Sequence, residues 1–318
     1  AKARGIRTEG RKRKMKKESN IRYLGREIRK NTENYLMLAP YSVFFLTFTV
    51  IPICVAIYLS FTYFNLLQPA QFRGFFNYTR LFLEDEIFLK SLKNTLVFAV
   101  VTGPISYFLC ILFAWMINEF GPVMRNVMTL IFYAPSISGS LYVIWSYIFS
   151  GDSYGLVNST LLRLGLIEEP GLWFTNPKYA LGIIIVVQIW LSLGTSFLAL
   201  IAGLQGVDRS LYEAGAIDGI RNRFQELIKI TLPSMGPSMM FAAVMQISSS
   251  FSVGAICNAL AGFPSTDYCA STIVTHIMDY GNNRYEMGYA CAIATVLFLM
   301  MFLMNQIVKA VLRRFNDA

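Results

Sequence analysis

Six stretches of this chain are long and apolar enough to cross a membrane as helices, and that limits the fold more than any other feature. They run from Leu36 to Tyr63, Asn94 to Ile117, Val127 to Phe149, Tyr179 to Ala202, Met235 to Ile256 and Met287 to Val308. A helix needs about 20 apolar residues to span a hydrocarbon core. None of the six contains Asp, Glu, Lys or Arg, each of which costs roughly 2.5–3.5 kcal/mol at the bilayer centre. Only 15% of the chain is charged, against about 25% in an ordinary soluble domain. The sequence therefore predicts an all-α integral membrane protein with six transmembrane helices.

Charge sets the orientation. Six spans put both termini and the loops 118–126 and 203–234 on one side, which holds 21 of the 28 Lys and Arg (13 + 1 + 4 + 3). The positive-inside bias makes that side cytoplasmic. The loops 64–93, 150–178 and 257–286 then face outward. The tail before Leu36 carries 13 Lys and Arg against 4 Glu. Beside a span, RKRKMKK (11 to 17) reads as a topology signal that meets anionic lipid headgroups rather than as a nucleic-acid site. Ile21, Leu24 and Ile28 recur at helical spacing, which predicts an amphipathic helix over 20–34 on the inner membrane surface or, alternatively, a disordered basic tail.

Polar side chains inside the spans are few and patterned. Gln188, Ser192 and Thr195 fall at i, i+4 and i+7 on one face of the fourth span, and Gln246, Ser249 and Ser250, with Ser252 beyond, nearly repeat this on the fifth. Such stripes line a solute pathway or hydrogen-bond helices together. Trp145, Tyr147 and Trp190 offer either flat faces for sugar rings or interfacial anchors. Pro135 lies among small and hydroxylated residues in APSISGS, where a broken helix would border a cavity or a neighbouring helix. Of five cysteines, Cys257 and Cys269 share one predicted outward loop and are either a disulfide or two free thiols.

Several chemistries have no supporting motif. The sequence lacks a GxxxxGK phosphate loop, HExxH, GxSxG and any Cys/His cluster at metal spacing. Its lone histidine, His276, falls in a predicted outward loop. No metal site and no catalytic group are expected, and transport would draw its energy from another chain.

Against this apolar background, EAGAIDGIRNRFQELIKITLP (213 to 233) is conspicuously polar. Ser210 and Glu213 fit a capping box that would start a helix, Gly219 allows a bend, and Ile220, Phe224, Leu227 and Ile228 form an apolar stripe expected to hold the segment to the bundle. YEAGAIDG followed by FQELIKITLP closely resembles the EAA loop of binding-protein-dependent ABC importer permeases. The likeness extends through WFTNPKYALGIIIVVQIWLSLGTSFLALIAGLQGVDRSLYEAGAIDG, APSISGSLYVIWSYIFSGDSYGLVNSTLLRLGL and NYLMLAPYSVFFLTFTVIPICVAIYLSF, or about residues 35 to 315. All three look like sugar-type permeases.

The resemblance implies a type I importer permease fold with a coupling helix that docks on an ATP-binding subunit. It assigns that coupling to Glu213, Ala214, Asp218 and Gly219, with Leu232 and Pro233 closing the motif. Gly215 stands where the family usually has alanine, and Ile220 where a small residue is common. The family also places sugar on the fourth and fifth core helices, which implicates Gln188, Ser192, Ser249 and Ser252; the polar stripes and the aromatic side chains read above add Thr195, Gln246, Trp190 and Trp145 as pathway candidates.

The expectation is a permease subunit for a sugar or oligosaccharide in a bacterial inner membrane. Permeases for acidic oligosaccharides such as alginate are the nearest in overall look. The implied partners are a second, different permease, two ATP-binding subunits that bind ATP and Mg, and a periplasmic solute-binding protein. Organisation is read as a basic tail 1–35, a permease domain 36–313 with coupling loop 208–233, and a short tail 314–318. The rival reading is a stand-alone secondary transporter or channel.

Overall fold

The computed structural model describes the backbone of residues 31–139 and 141–316, so the predicted amphipathic helix at Ile21, Leu24 and Ile28 lies outside the described residues. The chain divides into two units, 1–58 and 59–318. The described part of the first unit belongs to one apolar helical run, Thr32–Leu59, none of whose helical residues is buried. Sequence patterning carried this span to Tyr63, but the helix stops at Leu59 and Thr62–Tyr63 pairs antiparallel with Gln71–Phe72. The reason is polar. Ser60 and Thr62 are buried, and the Asn77 amide donates to both of their carbonyls at 2.9 and 2.8 Å.

The second unit is built around the helix Glu86–Asn118, which begins well before the apolar run at Asn94. Asp85 caps it by accepting from the Phe88 N–H at 2.8 Å. Residues along this helix enter three apolar clusters: Phe98 beside Ile184 and Val187; Phe88 and Ala99 beside Phe251 and Ile293; Cys110, Ala114 and Ile117 beside Phe197 and Leu200. Small residues allow close approach. A Cβ at Gly103 would sit 3.6 Å from the Ser250 hydroxyl of the Gly236–Phe251 helix, the kind of contact that substitutes for hydrophobic driving force between helices in lipid.

Among the described residues, four continuous helical runs are long and apolar enough to cross a membrane, and six if each of two bent pairs is one span. The third expected span is broken: Pro122–Ile137 meets Tyr142–Ile148 at 83°, just after Pro135 and the extended Ser138. Arg223–Ser234 meets Gly236–Phe251 at 82°. The fourth span continues through a local interruption, with Ala180–Leu191 and Thr195–Gln205 separated at Ser192 to Gly194. Non-helical backbone at such depth is tolerated where protein or water satisfies it, and here two of the three interruptions, after Ile137 and at Ser192 to Gly194, border one cavity.

Candidate functional site

That cavity has a volume of about 340 Å³ and is lined by Tyr133, Pro135, Ser136, Ser138, Gly139, Tyr142, Leu191, Ser192, Gly194, Thr195, Ser196, Met245, Gln246 and Ser249. None of these side chains is charged. Four of the pathway candidates come together in it: Ser192, Thr195, Gln246 and Ser249. Gln188 does not join them: it lies a full turn before Ser192 on the helix Ala180–Leu191, outside the lining. Ser252 also lies outside the lining; it caps the end of the Gly236–Phe251 helix and its hydroxyl donates to the Ser248 carbonyl at 2.7 Å. Ser136, Ser138, Tyr133, Tyr142 and Ser196 were not singled out individually as pathway residues. The run APSISGS marks Ser136 and Ser138 only.

Within the cavity wall, Ser196 donates to the Ala242 carbonyl at 3.1 Å and so fastens the Thr195–Gln205 helix to Gly236–Phe251. Gln246 is 2% exposed, yet its Nε2 has no hydrogen-bond partner. A buried amide without an acceptor costs about 1–3 kcal/mol. Trp145 and Trp190 do not line the cavity. They meet edge-on at 5.6 Å, and Trp145 also stacks on Phe149 at 6.0 Å and packs against the apolar cluster behind the wall.

Cys257 and Cys269 are free thiols, buried in that same cluster. His276 is not an open loop residue: it lies buried in the helix Ile273–Met278, and its Nε2 is 2.9 Å from Asp85 Oδ2. Among the described residues, no group of three or more His, Cys, Asp or Glu side chains is arranged to hold a metal.

The polar segment 208–234 forms a helical elbow. Its first limb, Arg209–Ile217, is capped by Asp208, which accepts from the Ser210 N–H at 3.0 Å; the expected capping box from Ser210 to Glu213 is not formed, because the helix starts earlier. The Ser210 amide and hydroxyl hold the Asp208 carboxyl below its usual pKa range. The limb ends in a Schellman motif: Ile220 N–H donates to Gly215 O at 2.9 Å and Gly219 N–H to Ala216 O at 3.3 Å, with Gly219 at φ +88°.

Asn222 caps the second limb through Phe224 N–H, and that limb passes through a π turn at Leu227–Thr231 before Pro233. Of the predicted apolar stripe only Leu227 is buried; Phe224 and Ile228, four residues apart on one face of the limb, are exposed. Glu213, Ala214, Asp218 and Gly219 are all exposed on the first limb and its turn, next to Ile217, which is 88% exposed. Leu232 is half-buried, and Pro233 is exposed. A second cavity of about 460 Å³ lies behind this elbow, between Trp115 and Glu119 on one side and Tyr212, Arg223 and Thr231 on the other.

Comparison with known proteins sets this architecture in a family. The family described as "Binding-protein-dependent transport system inner membrane component" matches residues 106–317. The chain belongs to that family. It is the permease subunit of an ABC importer and has the type I importer permease fold. The probable ABC transporter permease protein YesP of Bacillus subtilis (strain 168) is 32% identical over 299 residues, which cover 92% of each chain. The sulfoquinovosyl glycerol transport system permease protein SmoG of Agrobacterium fabrum is 29% identical, covering 87% of the permease and 89% of SmoG. A crystal structure of a bacterial ABC transporter involved in the import of the acidic polysaccharide alginate superposes with a TM-score of 0.73 at 27% identity, over 92% of the permease and 98% of that chain.

Proposed function

We propose that the permease carries a sugar or oligosaccharide through the cavity at Ser192, Thr195, Gln246 and Ser249, handing it from a periplasmic solute-binding protein to the cytoplasm. The observation that carries this reading is the lining itself: hydroxyls, an amide and two tyrosines on interrupted helices, with no charge. Such a wall exchanges hydrogen bonds with a polyhydroxylated ring, and it offers no charge to pair with an ion. The names of relatives support the same class, among them the arabinooligosaccharides transport system permease protein AraP of Bacillus subtilis (strain 168) and the lactose transport system permease protein LacF of Rhizobium radiobacter. Alginate or another uronate oligosaccharide remains within this class. Its carboxylates would need cations from other subunits, since this lining offers none.

In the proposed assembly a second, different permease completes the pathway. Two ATP-binding subunits hold ATP and Mg on the cytoplasmic side and take the elbow at Glu213, Ala214, Asp218 and Gly219, while both termini of the permease are cytoplasmic. The exposed Ile217, Phe224 and Ile228 supply an apolar face for that contact. ATP drives the cycle only through its preference for one state: moving an equilibrium from 1:99 to 99:1 takes about 5.5 kcal/mol of differential binding.

Purification of the tagged permease from its native membrane tests the proposal. The expected result is stoichiometric recovery of an ATPase and a second permease, with hydrolysis rising when a sugar-loaded binding protein is added. A permease that purifies alone and transports without nucleotide would instead favour the stand-alone transporter.

A further inference from the structure

The two limbs of the elbow are clasped to each other by side chains that neither line the solute cavity nor stand on the exposed apolar face. Tyr212 Oη lies 2.9 Å from Thr231 Oγ1. The Thr231 hydroxyl also reaches the Glu226 carbonyl at 3.2 Å, five residues back across the π turn. Its proton is directed there, so the Tyr212 O–H donates and Thr231 accepts. Thr231 itself is buried.

One turn along the first limb, a Cβ at Gly215 would fall 2.5 Å from Ile230 Cδ1 and 3.2 Å from Ile220 Cδ1. Glycine at 215 therefore leaves the seat that these two isoleucines fill. The unusual Gly215 and the unusual Ile220 are two sides of one contact, the apolar touch that accompanies a Schellman motif between its last helical turn and the residue beyond the glycine. Three links thus cross the elbow: a hydrogen bond, an apolar plug and the turn at Gly219. Beyond Thr231 the chain bends by 82° into Gly236–Phe251, the helix that carries Gln246 and Ser249 to the cavity.

We infer that Tyr212 and Thr231 are positioning residues that fix the angle between the limbs, with Gly215 seating Ile220 and Ile230, so that displacement of the exposed limb reaches the cavity helix without being absorbed at the turn. The inference rests on the reading of this elbow as the ATPase-docking element. A hinged elbow would still dock; it would transmit less.

The test uses the whole complex in membrane vesicles and needs no identified substrate. Thr195→Cys, introduced with Cys54→Ser, reports cavity access through its labelling rate with a maleimide, and ATP with vanadate is the stimulus; the same protein without the engineered thiol gives the background. Tyr212→Phe and Thr231→Val are expected to leave the amount of co-purified ATPase unchanged while cutting the nucleotide-dependent change in labelling at least about threefold, the scale set by one lost hydrogen bond. Thr231→Ser, which keeps the hydroxyl, should restore it.

A response equal to the parent's in both Tyr212→Phe and Thr231→Val overturns the inference. So does equal loss in Thr231→Ser, which would assign the effect to packing alone. If Glu213→Ala and Ile217→Asp leave both ATPase recovery and the labelling response intact, the docking reading fails first and the inference fails with it; if they abolish recovery while Tyr212→Phe and Thr231→Val change nothing, only the inference fails.

Discussion

Asp85 and His276, 191 residues apart in sequence, meet through a 2.9 Å contact between Oδ2 and Nε2, with both side chains under one-tenth exposed. The same carboxylate accepts from the Phe88 N–H at 2.8 Å and from the Tyr289 hydroxyl at 2.7 Å. One buried group thereby joins the start of the central helix, the short helix Ile273–Met278 and the last span. Close by, Arg80 pairs with Glu286 at 2.6 Å and lies 4.4 Å over the Tyr289 ring.

Burial pushes the Asp85 pKa up, but the hydrogen bonds from His276, Phe88 and Tyr289 more than offset it and bring the value down to about 2 from 3.8. A carboxyl depressed in the folded state stabilises above its unfolded pKa, and that contribution is lost as pH falls. Asp85 is therefore expected to contribute about 2 kcal/mol at neutral pH, disappearing between about pH 4 and pH 2. Thermal unfolding in detergent checks this: Asp85→Asn should melt lower than the parent at pH 7, and the gap should narrow on acidification.

Asn158 is fully buried in the loop after the third span, where its amide donates to the carbonyls of Ser150, Asp152 and Gly171 and its Oδ1 accepts from Gly171 N–H and Trp173 Nε1–H. Asn158→Ala strands several of these groups at once. The expected cost is about 3 kcal/mol, confined to residues 150–173. Hydrogen exchange of the amides there should accelerate about 100-fold while the central helix is unchanged.

Gln246 carries a stability cost that a transport role would explain. Gln246→Met keeps most of the volume and removes the orphaned Nε2, so the variant is expected to gain about 1 kcal/mol in stability and to lose uptake severalfold. Thermal unfolding paired with uptake assays reads both. Loss of stability together with loss of uptake would make Gln246 a structural residue instead.

Thr195 is exposed into the cavity, and Thr195→Trp would fill a large part of its volume of about 340 Å³. Uptake should fall to background while assembly with the ATPase and its hydrolysis persist. The comparison of uptake with ATP turnover in one preparation checks it.

Gly219 holds φ +88° with nothing within 4 Å of where a Cβ would be, so a substitution there meets conformational strain rather than a clash. Gly219→Ala is expected to cost about 1 kcal/mol and Gly219→Asn less, because asparagine tolerates the left-handed region better. Thermal unfolding ranks the three.

The spans were legible because hydropathy over 20 residues is a local property, and the predicted intervals overlap each of the four continuous apolar runs and both bent pairs among the described residues. Gly219 was legible too, as a glycine between two helical patterns. Four of the pathway candidates share one cavity because Ser192 and Thr195, like Gln246 and Ser249, fall where the interrupted helices approach each other. Gln188 lies one turn beyond the cavity's reach along its helix, and Ser252 falls past the helix end at Phe251, neither of which a shared face by periodicity records. Phe224 and Ile228 of the elbow's apolar stripe do share a face, but that face is exposed, and which face packs on the bundle is a tertiary fact that periodicity does not record.

By itself the sequence determined that the chain lives in lipid, which stretches are apolar enough to span it, and which polar segment stands apart from them. Each follows from side-chain solvation and local backbone preference, which a linear pattern records. Only the tertiary structure decided which polar groups face a common space, that Trp145 and Trp190 close on each other, that His276 is a buried partner of Asp85, and that Gly215 makes room for Ile220 and Ile230. Those are contacts between distant segments, fixed by where helices break and how closely they cross.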